Sequence, residues 1–345
     1  MESATAAAEM PPAEVHSVPT SDGTEIRLTR HQYGNKGPIV MAPGYGNAAS
    51  AFAIDTVPKN WVQYLGEHGY VVWLFDYRAS PDLPSSYTQF NVDDIALRDW
   101  PAAVETVRRE TGVDEIQALG HCVGGLTLFM AMGGGMQGLR SATFSSLAAH
   151  PIPTVGNQIR AHARLATIFK LLGIKGLNTD YDPKAWDGKL IETVMKAAPF
   201  RHIYDNPVAR RIFFIYGDVF NWENINRETM EKAVPGFFGN GNITFFEHIS
   251  LMIRASQARD ARGRDRYLEN LDAFKFPIHF LTGEHNRMFV PKGLQRSYDM
   301  LRRAHGSANY TQHVISDYAH LDLWLGTNAE RDVWPTALAE LEKHN

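Results

Sequence analysis

Gly120-His121-Cys122-Val123-Gly124-Gly125 follows directly on the apolar run Ile116-Gln117-Ala118-Leu119, and this stretch decides the fold. Small glycines on both sides of a nucleophilic side chain are what a sharp strand-to-helix turn requires, because bulkier neighbours would collide with the backbone. Such a turn holds its central residue above the end of a sheet. The usual central residue is serine, and here it is the only cysteine of the chain. We therefore predict that Cys122 is a nucleophile. The alternative interpretation is a small buried hydrophobe.

Apolar runs typical of buried strands alternate with stretches of helical periodicity on both sides of this turn. The predicted strands span residues 15–18, 25–29, 38–42, 70–75, 115–119, 139–147, 277–282 and 310–315. The main predicted helices span residues 92–111, 123–132, 293–304 and 323–341. This alternation predicts an α/β fold with a mostly parallel sheet flanked by helices.

The alternation stops in the middle of the chain. Residues 151–272 have a helical pattern and are rich in aromatic residues, and we predict that they form a large, mainly helical cap insertion. Residues 16–150 and 273–345 then form the core, and residues 1–15 are predicted to be a disordered tail. The aromatic side chains of the cap favour an apolar acyl or lipid-like substrate, although most of them are expected to form the cap's own core. They include Phe169, Trp186, Phe200, Phe213, Phe214, Tyr216, Phe220, Trp222, Phe237, Phe238, Phe245 and Phe246.

An acyl-transfer site on such a sheet needs a nucleophile, a residue that orients the base, and a histidine base, in this chain order. His320 follows the last predicted strand and is our candidate for the base. His121 is closer to the cysteine in sequence, but adjacent residues in such a turn point in different directions. Asp322 is predicted to cap the final helix.

The orienting residue is expected in the loop after residues 277–282. The position usually held by aspartate there is Asn286, and Glu284 is an alternative acid if the loop is remodelled. A thiol of pKa about 8.5 lies roughly two units above an imidazole of about 6.5. The start of a helix at Val123 then favours a resting thiolate–imidazolium pair, for which an amide oxygen suffices as the partner of the histidine.

Two backbone N–H groups are predicted to form the oxyanion hole. One belongs to Val123, directly after the nucleophile, and the other to Tyr45, which follows Pro43-Gly44 at the end of the third strand.

With these residues, the chain resembles α/β-hydrolase-fold proteins over roughly residues 16 to 345. The stretch 318–326, Tyr-Ala-His-Leu-Asp-Leu-Trp-Leu-Gly, is similar to the histidine region of the acid lipases. The cysteine turn, the following residues 126–130 and the stretch Phe246-Glu247-His248 resemble bacterial hydrolase-like domains associated with cholesterol-oxidase-type flavoproteins. The acid-lipase resemblance implies a triad of Cys122, His320 and Asn286, and the second resemblance implies a flavoprotein partner.

Composition excludes several other classes. Hydrophobic residues make up 44% and charged residues 21% of the 345 residues, which predicts a folded core. The net charge of −4 and the lack of a basic run make nucleic acid an unexpected partner. No apolar run reaches the length of a membrane span, and neither metal-ligand spacing nor a cofactor motif is found. One cysteine cannot form an internal disulfide, and the first residues lack a secretory pattern, so a cytoplasmic location is expected.

These features predict a carboxylic-ester or thioester hydrolase that works through an acyl-thioenzyme. The alternatives are an acyltransferase or synthase using the same intermediate and a non-catalytic binding protein on a degenerate hydrolase scaffold. The acyl group, its acceptor and the oligomeric state stay open at this stage.

Overall fold

The computed structural model describes residues 10–147, 149–154, 158, 161–173, 175–177, 212, 217–239 and 241–345. Eight strands form one sheet in the order β1-β2-β4-β3-β5-β6-β9-β10. Strands β3 to β6, β9 and β10 pair in parallel, whereas β1 and β2 join antiparallel at one edge. The strands are β1 (Glu14–Pro19), β2 (Glu25–Gln32), β3 (Lys36–Ala42), β4 (Tyr70–Asp76), β5 (Ile116–His121), β6 (Leu139–Ser145), β9 (Ile278–Gly283) and β10 (Tyr310–Ile315).

Helices cover both faces of this sheet. They are α1 (Trp61–Glu67), α2 (Val92–Asp94), α3 (Trp100–Thr111), α4 (Val123–Gly133), α5 (Leu165–Leu171), α6 (Val234–Phe237), α7 (Ile243–Ala255), α8 (Pro291–His305), α9 (Asp322–Leu325), α10 (Ala329–Asp332) and α11 (Trp334–Glu342). A mostly parallel sheet flanked by helices is the architecture that the sequence predicts, and the prediction is confirmed.

The two faces of the sheet bury two apolar layers, because side chains alternate along each strand. On β3, Val40 and Ala42 join the layer of helices α3 and α4, whereas Ile39 and Met41 join the layer of helices α1 and α11. Strand β4 is buried along its whole length, as a central parallel strand should be. The indole N–H of Trp100 on α3 donates to Thr127 on α4 at 2.9 Å, which joins these two helices.

The C-terminal prediction is wrong in one respect. A single helix was expected over residues 323–341, but the chain forms the three short helices α9, α10 and α11. Gly326 is extended (ψ 139°) and ends α9, and Val333 (φ −118°) interrupts the path before α11. Pro335 sits in the first turn of α11, where its missing N–H has no cost, so this helix starts anew at Trp334. The predicted helix over residues 92–111 is helical throughout, with a π-helical turn at Ile95–Asp99.

The connection between β6 and β9 contains the residues predicted to form the cap. Its described parts include α5, α6, α7 and a two-stranded pairing of β7 (Gly176–Leu177) with β8 (Gly241–Asn242). The core and cap boundaries stay a prediction, and Trp186, Phe200, Phe213, Phe214 and Tyr216 lie outside the described residues. At the other end, β1 begins within the last two residues of the predicted tail, and residues 1–9 also lie outside the described part.

Strand β5 and helix α4 meet the end of β3 at very short range. A Cβ on Gly124 would lie 2.5 Å from the carbonyl oxygen of Pro43 and 2.6 Å from that of Ala42. Both contacts involve backbone, which cannot move aside as a flexible side chain would. The N–H of Gly124 donates to the Pro43 carbonyl at 3.1 Å. Glycine at position 124 is therefore required for α4 to start against the loop after β3.

We expect Gly124→Ala to lower the free energy of unfolding by about 1–3 kcal/mol, because the added methyl group overpacks this junction. Urea denaturation monitored by circular dichroism measures the change. Gly236→Ala is the matched control, since a Cβ on this helical glycine would meet nothing within 4 Å. The control should be neutral or slightly stabilising. Equal unfolding midpoints for the two variants would contradict the packing argument.

Candidate active site

Cys122 occupies the turn between β5 and α4 with φ 53° and ψ −114°. A positive φ is costly for a residue with a side chain and is tolerated where the surrounding structure enforces it. Here the Cys122 N–H donates to the Ser145 carbonyl at 2.8 Å, and the flanking glycines give the room described above. The free thiol is 7% exposed. The strained turn that the sequence predicts is present, with Cys122 at its centre.

The two predicted oxyanion donors meet at this thiol. Burial is the largest influence on the pKa of Cys122 and raises it to about 12, while the backbone N–H groups of Val123 and Tyr45, which hydrogen-bond the sulfur, act in the opposite direction. Two N–H groups from different parts of the chain thus converge on one sulfur. An oxygen that becomes negative beside this sulfur would find two donors already in place.

His320 lies in the loop between β10 and α9, and Asp322 holds that loop. One carboxylate oxygen of Asp322 accepts the backbone N–H of His320 at 3.0 Å, and the other accepts that of Ala319 at 2.9 Å. The side-chain amide of Asn224 also donates to Asp322, at 2.8 Å. The predicted capping role of Asp322 is wrong, because Asp322 is the first residue of α9, whose N-cap is Leu321 and has no side-chain cap hydrogen bond. Its carboxylate instead fixes the backbone that carries His320.

Burial opposes the resting thiolate–imidazolium pair that the sequence predicts. Burial raises the pKa of Cys122 to about 12 and lowers the pKa of His320 to about 3. Both shifts favour the neutral form near pH 7, because each group is deprived of the water that would solvate its charge. Within the described residues, no hydrogen bond joins Cys122 to His320.

Asn286 is buried, but its side chain is engaged within its own loop. Its Oδ1 accepts the backbone N–H groups of Met288 at 3.0 Å and Phe289 at 3.3 Å, and its Nδ2 donates to Thr282 at 3.3 Å. The expected hydrogen bond from the imidazole N–H of His320 to the Asn286 oxygen is therefore not made. The reason is that an asparagine side chain readily closes a turn with the backbone just after it.

Glu284 does not replace Asn286, since its side chain is exposed to solvent. The Nδ1 of His320 is buried and has no hydrogen-bond partner among the described residues. The two loops are nevertheless joined, because the backbone N–H of His285 donates to the Tyr318 carbonyl at 2.8 Å.

His121 has a different set of partners, which sequence spacing gave no means to find. Its Nδ1 lies 2.9 Å from the Ser145 hydroxyl, and the indole N–H of Trp324 donates to both, at 3.1 Å to the ring nitrogen and 3.0 Å to the hydroxyl. An indole N–H can only donate, so Nδ1 of His121 must accept, and the proton of the neutral ring is on Nε2. Burial, with a smaller effect of His320, keeps the pKa of His121 well below its usual value.

The ring of His121 therefore has no free nitrogen lone pair with which to take a proton from the thiol. Its centroid lies 4.6 Å from that of His320, so the two imidazoles are in contact. Of the two histidines considered for the base, only His320 has a ring nitrogen whose lone pair is not already committed to another donor.

A small cavity adjoins the site, lined in part by Gly44, Asn47, His121, Leu321 and Trp324. Across the described residues, no group of three or more His, Cys, Asp or Glu side chains is arranged to hold a metal ion. In the same part of the chain, no helix is both long and apolar enough to cross a membrane.

No family model matches the chain. Sequence relatives include Lipase lipl-1 of Caenorhabditis elegans, 24% identical over 94% of this chain and 86% of the relative. Lipase member K of Homo sapiens is 24% identical over 96% of this chain and 88% of its own length. Gastric triacylglycerol lipase of Homo sapiens is 30% identical over 42% of this chain and 40% of its own length.

Solved structures include a monoacylglycerol lipase of Paleococcus ferrophilus, with a TM-score of 0.57 and 14% identity, which covers 93% of this chain and 100% of that one. The esterase Pf2001 of Pyrococcus furiosus has a TM-score of 0.54 and 12% identity, and covers 96% of this chain and 92% of that one. Together with the sheet order and the strained turn after β5, these similarities show that the chain has an α/β-hydrolase fold.

Proposed function

We propose that this protein is a carboxylic-ester hydrolase acting on an apolar, lipid-like acyl ester, with Cys122 as nucleophile and His320 as base. The observation that carries the proposal is the convergence of the Tyr45 and Val123 N–H groups on the sulfur of a cysteine held at positive φ. A turn of this kind is costly to build, and an inert buried thiol would not need two donors beside it. The lipases among the sequence relatives support a lipid-like ester as substrate.

Both catalytic groups are neutral at rest, so the proton transfer accompanies the attack. The Cys122 sulfur bonds to the acyl carbon while its proton passes to the imidazole of His320, and the carbonyl oxygen becomes an oxyanion between Tyr45 and Val123. The bond to the alcohol oxygen then breaks as His320 returns the proton to the leaving alcohol. Water attacks the resulting thioester and gives a proton to His320. The carbon–sulfur bond then breaks, His320 returns that proton to the sulfur, and the acid and the Cys122 thiol are released.

In this proposal Asn286 supports the base indirectly. The loop that carries Asn286 is joined to the His320 loop by the hydrogen bond between His285 and Tyr318. The Asn286 amide stabilises its own loop rather than the imidazole. The lack of a carboxylate partner is consistent with a base that remains neutral until the thiol proton arrives.

The flavoprotein partner and the cytoplasmic location remain predictions from the sequence.

Acyl transfer is the second candidate, and the burial of Cys122 favours it. A thioester formed on a thiol that is only 7% exposed meets water slowly, which gives an alcohol, amine or thiol acceptor time to bind. The apolar surroundings of the site select against water and not against an apolar alcohol.

Cys122→Ala and His320→Ala should each lower kcat/KM for p-nitrophenyl acyl esters by about 10³-fold or more, because each removes an atom that forms or breaks a bond in the reaction. Steady-state hydrolysis measures the loss. His279→Ala is the control, since His279 is another buried histidine, with a pKa lowered to about 3 mainly by burial, that contacts His313 instead of the turn. Turnover that survives Cys122→Ala would refute the proposal and favour a non-catalytic thiol.

The pH dependence of alkylation tests the state of the thiol. With a pKa raised to about 12, the thiolate fraction of Cys122 should increase about tenfold per pH unit between pH 6 and 9, and the rate of iodoacetamide labelling should increase with it. Mass spectrometry follows the labelling without ambiguity, because the chain has one cysteine. A rate that stays constant across this range would instead indicate a preformed thiolate.

Added acceptors separate the two candidate reactions. If the enzyme transfers acyl groups, raising the concentration of a medium-chain alcohol should divert product from the free acid to a new ester, at an unchanged rate of p-nitrophenol release when acylation is limiting. Chromatography of both products gives the ratio. A ratio that does not respond to the acceptor assigns the protein to hydrolysis.

A further inference from the structure

The turn that carries Tyr45 is paired with a segment from the β6–β9 connection. We call residues 43–48 the oxyanion loop, and residues 237–239 with 241 and 242 the clamp segment. The backbone N–H of Gly239 donates to the Gly46 carbonyl at 2.8 Å, and that of Ala48 donates to the Phe237 carbonyl at 2.9 Å. The two segments therefore run side by side with hydrogen bonds in both directions, and an antiparallel bridge lies between them.

The side chain of Tyr45 extends this pairing to the start of helix α7. Its hydroxyl accepts the backbone N–H of Asn242 at 2.7 Å, and its ring stacks on that of Phe245 with 3.8 Å between centroids and 15° between planes. Asn242 is also the N-cap of α7, because its Oδ1 accepts the Phe245 N–H at 3.2 Å. One residue thus places its backbone N–H beside Cys122 and its side chain in the first turn of α7.

The clamp segment is itself fixed to the core. The side-chain amide of Asn242 donates to the Thr88 carbonyl at 2.6 Å. Six residues after Asn242, on α7, the Nδ1 of His248 accepts the backbone N–H of Val92 at 3.2 Å. Contacts at both points restrain the start of α7 and hold Asn242 in place. Asn242 in turn positions Tyr45, because its backbone N–H donates to the Tyr45 hydroxyl.

The two oxyanion donors are consequently held by different means. Val123 is the first residue of α4, and its N–H is set by the same turn that sets Cys122. Tyr45 lies in a loop whose hydrogen bonds to the clamp segment involve residues nearly two hundred positions later in the chain. Loss of the clamp contacts would leave Val123 in place and free only Tyr45.

We infer that Tyr45, through its hydroxyl, and Phe245, through its ring, are positioning residues for the reaction. The oxyanion hole is then complete only while the clamp segment is docked on the oxyanion loop. This inference rests on the proposed function, in which the Tyr45 N–H binds the oxyanion. Removal of a whole oxyanion donor costs about 10²–10³-fold in kcat, so a displaced donor should cost less, about tenfold.

Tyr45→Phe tests the hydroxyl and keeps the ring, and Phe245→Leu tests the stacking and keeps the apolar volume. Tyr310→Phe is the matched control, because Tyr310 is a buried tyrosine whose hydroxyl donates to a backbone carbonyl, that of Phe274, at 2.8 Å. Each variant is assayed for ester hydrolysis and for iodoacetamide labelling of Cys122. Labelling displaces iodide from a saturated carbon and forms no oxyanion, so it reports on the thiol. Because the Tyr45 N–H also hydrogen-bonds the sulfur and favours the thiolate, displacement of Tyr45 should slow labelling as well, but less than it slows hydrolysis.

We expect kcat to fall about tenfold in Tyr45→Phe and Phe245→Leu, with KM within about twofold of wild type and the labelling rate reduced by less than about threefold. The control should match wild type in all three quantities. A parallel fall of kcat and labelling in the test variants would overturn the inference, because it would show a general disturbance of the site. Test variants with the kcat of the control would overturn it as well.

Hydrogen exchange keeps the inference testable if the wild-type protein hydrolyses no ester, an outcome that refutes the proposed function alone. Backbone amides of residues 44–48 should then exchange at least tenfold faster in Tyr45→Phe than in wild type or Tyr310→Phe, while amides of α4 stay unchanged. Equal protection of residues 44–48 in all three proteins would refute the coupling between the clamp segment and the oxyanion loop.

Discussion

The contact of the Gly124 backbone with the end of β3 is the constraint on which the site depends. Because position 124 has no Cβ, helix α4 begins within hydrogen-bonding distance of the Pro43 carbonyl, and the next residues of that loop reach the sulfur of Cys122. This approach sets the distance between the start of α4 and Pro43, and the clamp segment then holds the rest of the oxyanion loop around Tyr45. A larger side chain there would separate the nucleophile from one of its two donors, whatever the rest of the sheet did.

Much of this arrangement could be predicted from the sequence, because it is encoded locally. The apolar run at residues 70–75 predicts a buried strand, and β4 forms there at Tyr70–Asp76 and is buried along its whole length, since a continuous apolar run reports burial directly. Cys122, Val123 and Tyr45 were identified from the glycines beside them. His320 was identified from its place after the last strand. In each case the signal lies within a few residues of the position it describes.

The remaining features depend on contacts between distant residues or on competition that a motif does not reveal. Asn286 occupies the position where an orienting acid is expected, yet the backbone of Met288 and Phe289 binds its oxygen first. The tautomer of His121 is set by Ser145 and by Trp324, which are 24 and 203 residues away. Burial raises the pKa of the thiol and favours its neutral state. The sequence indicates that a helix starts at Val123, but it does not show how deeply this start is buried. The break at Gly326 was overlooked because the apolar pattern continues across it.

The hydrogen bond from Trp324 to His121 has a consequence for proton transfer between the two histidines. The imidazoles of His121 and His320 lie in contact, and in other surroundings such a pair could pass a proton from one ring to the other. The indole prevents this, since it occupies the nitrogen lone pair that a relay would need. In the proposed reaction, the proton of Cys122 therefore stays on His320 until the leaving alcohol takes it, and it does not pass to His121.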